Sequence, residues 1–186
     1  MRRYAAAVSA LSFMLGAEQA RADVKLDITY SSYQLRGLNK DVLHDDLHRV
    51  AKRDRDGIID GELAVDWHWN FRFAKMENSC RVSSDQIILK LEILLPTWVD
   101  ETRADPALRT AWNAYFEQLK AHEDGHKRIA VDAAERISKL AHDVTAPGSC
   151  MALHQSLNRA ANQIVEDADK AQNQFDANAK PFAFED

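Results

Sequence analysis

The stretch Glu62-Leu63-Ala64-Val65-Asp66-Trp67-His68-Trp69-Asn70-Phe71-Arg72-Phe73 decides the fold. Leu63, Val65, Trp67, Trp69, Phe71 and Phe73 are apolar at every second position. Glu62, Asp66, His68, Asn70 and Arg72 point the other way. A period of two belongs to a strand with one dry face and one wet face. Beyond Asn78 and Ser79 the alternation returns in Ile87, Leu89, Leu91, Ile93 and Leu95, with Lys90 and Glu92 opposite. Two long strands joined by so short a connection are expected to pair antiparallel. Pro96 is expected to end the second.

A dry sheet face needs a cover, and the sequence downstream supplies it. Asp105-Pro106 reads as a helix start, with Asp as the cap and Pro in the first turn. Leu108, Trp112, Tyr115, Leu119, His122, His126, Ile129, Ala133, Ile137 and Leu140 follow at steps of three and four. Pro147-Gly148 ends that helix, and a second runs from about Cys150 to Phe175. Its apolar stripe is Leu153, Leu157, Ala161, Ile164, Ala168, Ala171 and Phe175. Upstream, Ile28 to Arg36 reads as a strand. Asn39 caps a short helix carrying Leu43, Leu47 and Val50, which ends in the charged stretch Lys52 to Gly57. The fold class is therefore α+β: N-terminal antiparallel strands packed against two long C-terminal helices.

Residues 1–22 read as a secretory signal. Arg2 and Arg3 precede an uncharged run from Tyr4 to Ala17, and Ala20-Arg21-Ala22 is a small-x-small cleavage site. The run is shorter than the roughly 20 apolar residues of a membrane span, and no other segment is apolar enough. Cleavage after Ala22 leaves residues 23–186 as a single exported domain, periplasmic or secreted. In an oxidising compartment the even count of two cysteines, Cys80 and Cys150, points to a disulfide. Lys and Arg number 24 against 29 Asp and Glu, a net charge of −5, so the chain lacks the basic footprint of a nucleic-acid binder.

The chemistry lies in Ala121-His122-Glu123-Asp124-Gly125-His126. Histidines four apart on a helix share one side. Two imidazoles so placed can bind one Zn²⁺. Glu123 flanks the metal, where it can act as general base toward a zinc-activated water and then as acid toward a leaving amine. A catalytic site needs a third protein ligand. His142 and His154 are available without a motif, Glu166 falls nearly opposite the apolar stripe, and Asp167 and Asp176 lie closer to it. Gly125 is costly in mid-helix, by about 1 kcal/mol relative to Ala, which a close approach by another backbone would offset.

These residues resemble those of a bacterial family of predicted secreted zinc-dependent proteases. The matching features begin with Tyr33, Gly37, Trp67-His68-Trp69, Cys80 and Leu95-Pro96-Thr97-Trp98. They continue through Trp112, the Leu119 to His126 segment, Cys150 and Phe175-Asp176. The resemblance implies a zincin-like metallopeptidase fold acting on a peptide or protein substrate. It implies zinc on His122 and His126, Glu123 as general base, and a Cys80–Cys150 bridge. Members of that family finish with Tyr-Asp-x-x-Thr-x-His-Gly, whereas here Ala179 stands at Thr and Pro181-Phe182 at His-Gly. Asp176 persists and becomes the candidate third ligand. The altered tail also admits a second function, a non-catalytic envelope protein that keeps the fold for structural zinc or partner binding.

Overall fold

The computed structural model describes residues 24–53, 58–142 and 144–179. The expected signal segment, residues 54–57 and the tail with Pro181-Phe182 lie outside the described residues. In chain order the elements are β1 (Lys25–Leu35), α1 (Lys40–Val50), β2 (Lys52–Arg53), β3 (Ile58–Ile59), β4 (Glu62–Lys75) and β5 (Ser79–Trp98). A short 3-10 turn at Glu101–Arg103 leads to α2 (Pro106–His142), β6 (Thr145–Pro147) and α3 (Cys150–Ala177). The architecture is α+β, with the long helices covering one face of the sheet.

β4 and β5 form the expected antiparallel pair, from Glu62 opposite Leu94 to Lys75 opposite Cys80. The sheet is mixed, however, because β1 runs parallel to β5, with Lys25 beside Ile88 and Leu35 beside Trp98. Alternation identifies a strand but carries no information on the direction of its neighbour. β5 also continues past Pro96 to Trp98. The pairing with β4 stops at Leu94, so beyond it β1 is the only described neighbour. A residue without an N–H is tolerated on the unpaired side.

The helix starts carry the caps their sequences offer. Asn39 Oδ1 accepts from Val42 N at 2.9 Å, Asp105 Oδ1 from Leu108 N at 2.8 Å, and Ser149 Oγ from Ala152 N at 3.2 Å. Cys80 and Cys150 form a disulfide that ties the start of β5 to the start of α3. Closing a loop of 70 residues in the unfolded chain stabilises by roughly 4 kcal/mol on the chain-entropy model.

Two cores share α2. One gathers Leu35, Leu43, Leu47, Trp98, Trp112 and Tyr115 around its first half. The other packs Ile87, Leu89 and Leu91 of the sheet against Ala130, Ala134 and Ile137 of α2 and Leu157 and Ala161 of α3. Between the two, residues 122–126 of α2 face a cleft bordered by Leu63, Val65 and Trp67 of β4. Those three side chains are only half-buried, packed against the second core on one side and open to the cleft on the other.

Candidate metal centre

α2 places His122 and His126 one turn apart, and α3 brings Asp176 to them. The two Nε2 atoms are 2.9 Å apart. Asp176 Oδ1 lies 3.0 Å from His122 Nε2 and 2.7 Å from His126 Nε2. All three donor atoms fall within 4.8 Å of one another, the separation at which one cation can sit between them. Burial, and next the ring of His126, holds His122 below the usual imidazole range, against the pull of Asp176. A neutral imidazole is the form that ligates.

The rings are held from α3. His126 Nδ1 donates to Gln172 Oε1 at 2.5 Å, and Gln172 Nε2 donates to the His126 carbonyl at 3.1 Å. A proton fixed on Nδ1 leaves the Nε2 lone pair facing Asp176. Phe175 stacks on His122, with centroids 4.9 Å apart, and stands edge-on to His126 at 5.0 Å. Gly125 is what admits that ring: a Cβ there would fall 2.3 Å from Phe175 Cζ. The close approach expected at Gly125 is thus made by a side chain of α3 and not by backbone.

The apolar stripe read from the sequence does not include Glu123, yet Glu123 is buried at 3% exposure, while His122 is the more open of the two neighbours. Glu123 Oε1 lies beneath the backbone of Gly61, where a Cβ would come within 2.8 Å. Its Oε2 is buried with no hydrogen-bond partner among the described residues. Burial pushes the carboxyl up to about 7; His126 opposes the rise, and Asp176 and Glu62 add to it. An orphaned buried carboxylate oxygen costs on the order of 1–3 kcal/mol or more. It lines the same cleft as the two imidazoles, a space of about 1090 Å³.

The turn over Glu123 has its own support. Tyr33 OH donates to the Asp60 carbonyl at 2.7 Å, and the Tyr115 phenol interacts with the Asp60 carboxyl. Burial raises both phenols and also raises Asp60, against Tyr115 and the rings of His48 and His44.

The other ligand candidates go elsewhere. Asp167 is exposed, accepts from Gln163, and pairs with Lys170 at 3.4 Å. Glu166 is exposed as expected. His142 Nδ1 meets the Ser138 carbonyl at 3.2 Å, and His154 lies against Asn158 and the edge of Phe73. Sequence reasoning missed Gln172 and the Asp60-Gly61 turn. Gln172 sits four residues before Asp176 on α3, so helical spacing from Asp176 was the signal that could have found it.

Fold and geometry together define an α+β protein with a two-histidine, one-carboxylate candidate metal centre beside a buried glutamate. The chain belongs to a bacterial protein family of unknown function (DUF922), whose family model matches residues 20–182. No curated protein and no solved structure matches it.

Proposed function

We propose that this is an exported, single-domain zinc metallopeptidase of zincin-like build. His122, His126 and Asp176 would hold Zn²⁺, a donor set of two imidazole nitrogens and one carboxylate oxygen that suits this ion and leaves a position open. When bound, Zn²⁺ supplies a Lewis acid that polarises a carbonyl and acidifies water. The observation that carries the reading is the buried, partnerless Glu123 Oε2 in the same cleft as those three donors.

The chain's own groups then have separate tasks. β4 has β5 as its only described partner, so its other edge borders the cleft with free backbone donors and acceptors. An extended peptide would add there as a strand. Gln172 and Phe175 keep both imidazoles aimed. Glu123, with its carboxyl at about 7, is balanced to take a proton near neutral pH and return it to the leaving amine.

The test is purified residues 23–186, assayed for zinc content and peptide turnover beside Glu123→Ala. The expected result is one zinc per chain in both and a loss of turnover of about 10²–10⁴-fold in the variant. Equal turnover would sink the mechanism. Stoichiometric zinc with no hydrolysis of any peptide would favour the non-catalytic envelope protein.

A further inference from the structure

The cleft has a charge as well as a shape. Among the described residues that line it, Asp60, Glu62, Glu123, Asp169 and Asp176 are acidic, and none is Lys or Arg. They are not equivalent. Asp176 faces the imidazoles, and Glu62 is tied to Lys52 at 2.6 Å. Asp60 is a sheltered carboxyl at the Leu119 end, interacting with Tyr115 and facing the rings of His44 and His48. Asp169 stands exposed on α3, seven residues before Asp176, and shares the cleft with Trp67 of β4.

A second observation, independent of the acid count, says that this space is built for a ligand. Glu123, at 3% exposure, keeps Oε2 without a partner there. A native fold tolerates such an orphan where something else arrives to meet it.

Building on the peptidase activity proposed for this site, we further propose that its substrates are cationic peptides carrying Lys or Arg next to the bond cleaved, with Asp169 as the specificity-determining residue. With Asp176 given to the metal and Glu62 to Lys52, the exposed carboxylate of Asp169 is what attracts a cationic side chain to its part of the cleft. An acidic side chain beside Asp169 would meet repulsion, and discrimination by charge comes as much from that repulsion as from attraction. Trp67 offers a ring face to a guanidinium or ammonium group, or to its methylene stem. The half-exposed setting makes the preference sensitive to salt.

The experiment uses zinc-loaded residues 23–186 and octapeptides that differ only in Lys, Ala or Glu at one position on either side of the central bond. Turnover is measured with the active protein, and binding by fluorescence anisotropy with Glu123→Gln. On at least one side, Lys should exceed Glu by about tenfold in both readouts, the span of a strong charge preference at a partly exposed site. Added salt should narrow that gap, and Asp169→Lys should bring the ratio to one or below. Equal binding of the three peptides, or no binding at all, overturns the inference. Turnover without preference overturns it and leaves the peptidase standing. Preferential binding of the Lys peptide without turnover of any peptide removes the peptidase and, with it, the claim about the cleaved bond, leaving recognition of cationic peptides alone.

Discussion

The two halves of α2 are buried by opposite means. Its first half is gripped by aromatic rings: Trp112 lies 5.7 Å from Trp98 and 5.5 Å from Tyr115, centroid to centroid. Those rings also end in polar groups that find partners, as where Trp98 Nε1 donates to the Gly37 carbonyl at 3.0 Å. The second half places Ala130, Ala133, Ala134 and Ala141 in one core with Ala161 and Ala168 of α3 and with the sheet. Small residues let two helices approach closely. The aromatic end fixes α2 to the strands, and the alanine end lets α3 come near enough to reach His122 and His126. The site sits where one mode of packing gives way to the other.

That contrast can be broken by changing bulk in each direction. Trp112→Ala should cost about 3–5 kcal/mol, as for other buried large-to-small changes, read from the urea midpoint. Adding bulk at the other end, as in Ala134→Leu, should cost about 1–3 kcal/mol by forcing α3 away. That variant should also weaken zinc binding, although residue 134 is two turns from the ligands. Unchanged zinc affinity in a folded Ala134→Leu protein would show that α3 is positioned by something other than the alanine contact.

Gly125→Ala sharpens the comparison at the seam itself. The new methyl would displace Phe175 from both rings, so about 1–3 kcal/mol of stability is expected to go, with at least tenfold of zinc affinity. Wild-type affinity in titration calorimetry would refute the role given to that ring. The smallest effect concerns Asp60, in the aromatic half. Its carboxyl is raised in the folded chain by burial, so the folded state holds the proton more tightly than the unfolded state does. Its contribution is greatest below the ordinary carboxylate value of about 4 and is lost as pH rises through the folded value. Asp60→Asn should flatten that part of the pH–stability curve, and an unchanged slope would contradict the assignment.

Much of this was legible in the sequence, for physical reasons that differ by residue. The alternation in β4 and β5 and the caps Asn39 and Asp105 are local signals, and they read through directly. The direction of β1 is a tertiary choice. The inward turn of Glu123 was hidden for a subtler reason. From Leu119, a step of three then four passes through His122 to His126, and a step of four then three passes through Glu123. Both satisfy a period of 3.6. Gly61, lying over the carboxylate, decides between them, and it comes from a distant turn. The pair His122 and His126 was visible from its spacing alone, whereas the meeting of Asp176 with it depends on how closely α3 packs.

An alanine seam is smooth, and smooth helices can slide along one another. Gln172 removes that freedom. Its two ends grip the ring and the carbonyl of a single residue, His126, at 2.5 and 3.1 Å. A slip of α3 by one residue along its helical screw moves it about 1.5 Å and turns it by about 100°, which would bring a different side chain to His126 and break both bonds together. The side chain therefore acts as a vernier, checking the axial setting of two helices at the point where three donor atoms must converge.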